Sequence, residues 1–239
     1  MNNQKPEISR RNLLRGATAV GAGLLVPGLL SDIAKAGTIE NPRPDSVRIT
    51  PAQALDYLKK GNKSYARGLR LNKSYAPAKA FTDGQWPFAA ILGCADSRVQ
   101  PDEIFGLVPA NLFVVRNAGN VIDDDVLGSL EYAVEHLSSS LVVVMGHSNC
   151  GAVKATEGVI SSGKPAGGHI DAIVNKIKPN IENLPKGHTL SDAVLANAKA
   201  GADAVISQSS IIEEAVKAGD AQVVYATFDL ATKKVTFSA

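Results

Sequence analysis

Three segments with apolar cores mark the middle of the chain, at residues 88–93, 111–116 (apolar from Leu112 to Val115) and 141–146. They lack the polar alternation of a half-exposed strand and read as strands buried on both faces. Helical patterns lie around them. Thr50-Pro51 offers a hydroxyl N-cap followed by proline at the first helical position. Ala54, Leu55 and Leu58 then recur at helical spacing, and Gly61 is expected to end that helix. Residues 128–137 have a helical composition. Residues 192–218 form a long Ala-rich helical stretch with Gly201 as a candidate break, and residues 222–228 and 234–237 read as late strands. Continuous apolar strands separated by helices predict an α/β fold, a mainly parallel central sheet covered by helices on both faces.

The first residues have a different character. Arg10-Arg11 precedes the Gly- and Ala-rich apolar stretch 16–30, and Ala34-Lys35-Ala36 has the small-x-small form of a cleavage site. The stretch is short for a membrane span and no stop-transfer pattern follows it. Residues 1–36 resemble a twin-arginine signal peptide. Residues 37–47, with Pro42 and Pro44, read as a linker, and residues 48–239 as the folded domain. The reading implies export to the periplasm in folded form, with no membrane attachment after cleavage.

Composition narrows the function classes. Of 239 residues, 45% are hydrophobic and 20% charged, which suits one globular domain with no need of disulfides. The formal charge is +2, but the first 36 residues hold five Lys/Arg and two Asp/Glu, so the remainder is close to neutral. No Lys/Arg cluster remains there, and nucleic acid is not an expected partner.

Candidate chemistry lies where two of the strands end. After the first comes Cys94-Ala95-Asp96-Ser97-Arg98-Val99; after the third comes His147-Ser148-Asn149-Cys150-Gly151. Sites in such sheets form at the carboxyl ends of strands. Cys94 and Cys150 are the only two cysteines, and His147 is three residues from Cys150 at a strand-to-helix junction. Thiolate and imidazole suit zinc, and three protein ligands plus an open position make a catalytic site. Spacing alone leaves a disulfide open as the alternative for two lone cysteines in an exported protein. Asp96 is either a fourth ligand or the partner of Arg98.

These motifs together resemble those of β-class carbonic anhydrases. The resemblance extends through Leu112-Phe113-Val114-Val115-Arg116-Asn117-Ala118-Gly119-Asn120, the segment Gly128 to Val134, Gln85 ahead of the first cysteine, Gly61-Asn62 and Phe228-Asp229-Leu230. It spans residues 48 to 237. It implies reversible hydration of CO2 to bicarbonate and a proton by zinc-bound hydroxide, with one zinc per chain held by Cys94, His147 and Cys150. Asp96 and Arg98 would form the catalytic carboxylate–guanidinium pair, with Asp96 also able to replace water on the metal. Gln85 would hydrogen-bond a CO2 or bicarbonate oxygen, Phe113 and Tyr132 would line the CO2 pocket, and Gly151 would allow close approach to the metal. The family also implies an N-terminal helical arm and a homodimer or higher homo-oligomer with the active site at the interface. Two anionic thiolates would reduce the metal's net charge and make its water less acidic than three imidazoles would, so activity is expected to rise with pH.

One departure from the family is visible. Ile91 stands where some members carry a tryptophan for an inhibitory bicarbonate site, although Arg116 is present. That control site is not expected here. His136, His169 and His188 have no metal-like spacing, and the run Asp123 to Asp125 reads as a solvated face or a helix cap. Competing readings are a related hydrolase of carbonyl sulfide or carbon disulfide, a non-catalytic zinc protein, and a metal-free disulfide-linked binding domain.

Overall fold

The computed structural model describes residues 49–69 and 84–238. The expected signal peptide, cleavage site and linker lie outside the described residues. The strands are β1 (Ala89–Cys94), β2 (Leu112–Asn117), β3 (Leu141–His147), β4 (Gln222–Phe228) and β5 (Val235–Ser238). The helices are α1 (Pro51–Ala66), α2 (Pro101–Ile104), α3 (Asp124–Glu135), α4 (Gly151–Ser162), α5 (Ile170–Ile181), α6 (Leu190–Gln208) and α7 (Ser210–Ala218). Sheet order is β2-β1-β3-β4-β5, with β2, β1, β3 and β4 parallel and β5 antiparallel to β4. The α/β expectation holds, and the apolar runs fall within one residue of the observed strand starts.

Alternation along the strands sorts the core into two layers. Ile91, Val143 and Met145 pack toward Ala54, Leu58 and Phe105 of the α1–α2 side. Leu92, Val142 and Val144 pack toward Leu130 of α3, Val205 of α6 and Ile212 of α7. Every residue of β1 and β3 is buried, which explains why neither shows a polar face.

Helix α1 begins where the sequence places it. Thr50 caps it in a capping box with Gln53, whose side chain accepts from the Thr50 N–H at 2.8 Å. It does not end at Gly61, however, but runs on to Ala66. Glycine is required there for another reason: a Cβ would stand 2.0 Å from the Phe105 carbonyl oxygen. Next to it, buried Asn62 donates to the carbonyls of Ile104 and Lys233 and accepts from the Val235 N–H, tying α1 to α2 and to the β4–β5 hairpin. Helix α1 thus packs, through Ala54 and Leu58, on its own chain's sheet.

Gly201 does not break the helical stretch 192–218 either; α6 passes through it, and the missing side chain lets the helix approach Val144 of β3. The break comes at Ser209, whose hydroxyl accepts from the Ile212 N–H to cap α7 and donates to Glu131 at 2.7 Å. Asp123 caps α3 through the Val126 N–H, as the acidic run predicts. The sequence reading placed no helix at α5, whose short stripe follows Gly- and Pro-containing residues 163–168 and carries Pro179 in its last turn.

Candidate metal centre

The chain leaves central strand β1 first for β2 on one side, then returns to β3 on the other. The carboxyl ends of β1 and β3 therefore frame a crevice where connections depart in opposite directions, the favoured place for a site in an open α/β sheet. The register pairs Gly93 with Met145, so Cys94 emerges beside His147 at the rim. Cys150 follows one tight turn later, with Asn149 in the left-handed region at φ 57°, and serves as the N-cap of α4.

Cys94, His147 and Cys150 are all buried, and their donor atoms lie within 4.8 Å of one another. The His147 Nδ1–H donates to the Ser148 carbonyl at 3.0 Å. That bond fixes the tautomer and leaves Nε2 as a lone-pair donor. His147 Nε2 is buried without a hydrogen-bond partner, a costly state unless a metal takes the lone pair. The thiols are primed as well. A hydrogen bond from Cys150 is the chief cause that holds the Cys94 thiol down to about 4, with His147 and the Gly119 N–H adding to it. Cys150 itself is pushed up, because it donates a hydrogen bond to the Cys94 sulfur and because it is buried; the N–H groups of Val153 and Ala152 at the start of α4 oppose this. Burial draws the His147 imidazole down, but contact with the Cys94 thiolate outweighs it and raises it overall. One cation would displace the protons the three groups share. Two sulfurs and one nitrogen converging with an open side fit a catalytic zinc.

Asp96 stands at the mouth of this triad and is not part of it. Arg98 grips it as a fork, Nε to Oδ1 at 2.9 Å and Nη2 to Oδ2 at 2.7 Å, and the Arg98 backbone N–H adds a third bond at 3.0 Å. The guanidinium holds the carboxyl well below the usual carboxylate range. Asp96 Oδ2 lies 3.9 Å from His147 Nε2, so the carboxylate faces the centre while paired with Arg98.

One residue of the site was noted in the sequence without its role. Arg116, on β2, donates to the Cys94 carbonyl at 2.9 Å, the Asp96 carbonyl at 2.7 Å and Gln100 Oε1 at 3.1 Å. It clamps the backbone of the Cys94 loop. No local pattern signals this, because the contacts cross 16 to 22 positions.

The pocket residues fall elsewhere within one chain. Phe113 pairs with Ala90, four residues before Cys94, so it stands about 13 Å along the sheet from the thiol. Tyr132 is beside it, ring centroids 6.3 Å apart, since α3 runs back toward the start of β2. Gln85 is exposed in the segment entering β1. Gly151 is exposed at the first turn of α4, and a Cβ there would meet nothing within 4 Å, so no protein backbone crowds it. Among the remaining histidines, His188 pairs with Glu157 at 3.0 Å and the His136 ring lies 5.2 Å from that of Tyr132.

Comparison with known proteins agrees with this geometry. Residues 89–235 match the family model described as carbonic anhydrase. The chain belongs to the β-carbonic anhydrase family. Carbonic anhydrase 2 of Mycobacterium tuberculosis is 35% identical over 187 residues, covering 75% of this chain and 89% of that protein. The carbonic anhydrase of Mycolicibacterium smegmatis is 42% identical over 133 residues, 55% of this chain and 65% of that one. Among solved structures, a β-carbonic anhydrase of Aspergillus fumigatus superposes with TM-score 0.60 at 25% identity, covering 78% of this chain and 88% of that one. A Coccomyxa β-carbonic anhydrase in complex with acetazolamide gives 0.58 at 25%, covering 87% and 85%. The matched region contains the metal triad, Asp96, Arg98 and Arg116. Family membership favours zinc over the disulfide that spacing alone leaves open.

Proposed function

We propose that the protein is a zinc-dependent carbonic anhydrase that interconverts CO2 and bicarbonate with release or uptake of a proton. The observation that carries this is the buried Cys94–His147–Cys150 triad with a carboxylate at its mouth that is locked in the ionised form. Zinc, when bound, supplies the Lewis acidity that makes water nucleophilic near neutral pH. The residues around it do the rest. Cys94, His147 and Cys150 would hold the metal. Asp96, kept ionised by Arg98, accepts a hydrogen from the reacting water and so aims the oxygen lone pair toward CO2. Arg98 also keeps Asp96 out of the ligand set. The open ground beside Gly151 gives a linear three-atom substrate room to approach.

Gln85, Phe113 and Tyr132 stand at the other end of the sheet from their own triad. In this reading they serve the metal centre of a second copy, which makes the enzyme a homodimer or a higher homo-oligomer with its site at the interface. Stopped-flow CO2 hydration across pH, with zinc measured on the same sample, tests the function. Fast turnover that rises with pH, at about one zinc per chain, is expected. Full zinc loading with no turnover at any pH would overturn it in favour of another small substrate or a non-catalytic role.

Export is part of the proposal. Arg10-Arg11 and the following apolar stretch support passage through the twin-arginine route and a periplasmic location. Folding before export lets the reduced thiols take zinc before they meet an oxidising compartment. A double Arg10→Lys, Arg11→Lys variant should stay in the cytoplasm on fractionation; undiminished periplasmic enzyme would refute this route.

A further inference from the structure

We infer that Asn197 is a positioning residue for the metal ligand Cys94, acting through the turn at Gly119; the inference rests on the zinc reading above. The turn is Ala118–Asn120, directly after β2, and it abuts Cys94 because the register pairs Cys94 with Asn117. Its Gly119 N–H donates to Cys94 Sγ at 3.3 Å. This is a fragile place to anchor a ligand. Gly119 has φ 77° and Asn120 φ 44°, two successive left-handed residues; the Asn117 side chain bridges the turn, accepting from the Val121 N–H and donating to the Val121 carbonyl, but neither bond reaches Gly119. A non-glycine residue in that region is strained by about 1–3 kcal/mol, and the surroundings must hold it there.

Asn197 supplies that hold from 78 residues away. It is 3% exposed, on a face of α6 otherwise made of Ala193, Val194, Ala198 and Gly201. Its Nδ2 donates to the Gly119 carbonyl at 3.0 Å. Asn180 of α5 donates to Asn197 Oδ1 at 3.0 Å, which fixes the end of the carboxamide that meets Gly119. A buried amide on an apolar helix face is costly unless paired, and both ends are paired here. The same two helices and α4 wall the turn: a Cβ on Gly119 would lie 2.7 Å from Ile177 Cδ1 and 2.9 Å from Ala152 Cβ.

The carbonyl that Asn197 holds and the N–H that meets Cys94 belong to one residue, so only φ and ψ of Gly119 separate them. Holding the first, with the turn walled by Ile177 and Ala152, restrains the second. An N–H aimed at a thiolate withdraws charge from the sulfur and restrains its position; loss of that aim alters how Cys94 donates to the metal. A role confined to gluing α5 and α6 together would leave the sulfur unaffected.

The test uses the full-length protein loaded with cobalt(II) in place of zinc. The thiolate-to-cobalt charge-transfer band reports the sulfur donors directly. Asn197→Leu keeps the volume and removes both hydrogen bonds. It should shift that band, and on the zinc-loaded protein it should speed zinc transfer to a chelator about tenfold. Val205→Ala, buried on the same helix but in the other cluster, should be destabilised with both readouts unchanged. Asn180→Ala, on a half-buried residue, should move both readouts the same way by less, and it decides the matter if Asn197→Leu does not fold. A wild-type band and transfer rate in Asn197→Leu, or in Asn180→Ala where only that variant folds, would overturn the inference. Wild-type protein that takes up neither metal would overturn the zinc reading itself, and the inference with it.

Discussion

The two loops that meet at the metal centre are built in opposite ways. The loop after β3 carries its two ligands in four residues, and both are buried. Its shape comes from local geometry: a tautomer-fixing bond to the next residue, a left-handed Asn149, and a helix that starts at Cys150. The loop after β1 carries one buried ligand, then turns outward through exposed Ala95, Ser97 and Arg98. It is held from outside by Arg116 on its carbonyls and by Gly119 on Cys94, and within itself by Arg98 on Asp96. The first loop is shaped mainly by neighbouring residues, with Ser148 tied to distant backbone, its N–H donating to the Phe228 carbonyl and its hydroxyl accepting from the Leu230 N–H; the second depends more on charges and on the distant Arg116 side chain.

That contrast can be broken by substitution. The largest effect should come from Cys150→Ser, which takes a ligand from the buried loop. Zinc should fall to below about one tenth per chain and hydration to background, by metal analysis and stopped flow; near-full zinc with retained turnover would show that the triad is not the metal site. Arg116→Met comes next, because it removes the clamp from outside. It leaves two carbonyls without their donor, each worth about 1–3 kcal/mol where buried. Hydration should drop about 10- to 100-fold while the chain still folds. Wild-type turnover in that variant would mean the outer loop holds itself.

Gly61→Ala sharpens the comparison from the scaffold side. Its Cβ would meet a backbone carbonyl at 2.0 Å, so stability should fall by about 1–3 kcal/mol, with zinc content and turnover per folded molecule unchanged. A kinetic defect in the folded fraction would tie α1 to the site directly.

The smallest effect concerns pH. Arg98 holds Asp96 below the usual carboxylate range, so the folded state favours the ionised form. That stabilisation is present above the unfolded carboxyl value of about 4 and is lost as pH falls through the lower folded value. Arg98→Ala should therefore melt slightly below wild type from about pH 5 upward, and the gap should close on acidification. Because Arg98 is exposed the gap will be small, and melts from acid to neutral pH would measure it. A gap that widened in acid would contradict the assignment of Asp96 as the ionised partner.

The strands were legible because burial on both faces writes an unbroken apolar run, as at residues 141–146. The ligands were legible because Cys94 and His147 each follow such a run directly and Cys150 lies three residues beyond His147. The glycines misled. Gly61 and Gly201 look like helix breakers in one dimension, yet each sits inside a helix where another element comes too close for a side chain. Helix α5 carries Ile170, Ile173, Val174, Ile177 and Ile181 at helical spacing, but the Gly- and Pro-containing residues 163–168 before it and Pro179 in its last turn make its neighbourhood read as loop.

By itself the sequence determined the strand cores, the helix start at Thr50 and the zinc-ligating residue types at the right strand ends. These depend on spacing within a few residues, where chain connectivity fixes what neighbours can do. Only the tertiary structure decided that β1 and β3 lie side by side, that Arg98 rather than the metal triad holds Asp96, and that Arg116 and Asn197 support Cys94. It also separated Phe113 and Tyr132 from their own chain's metal centre. Those facts join positions tens of residues apart, and no local pattern encodes such a pairing; packing of the whole sheet and its helices brings them together.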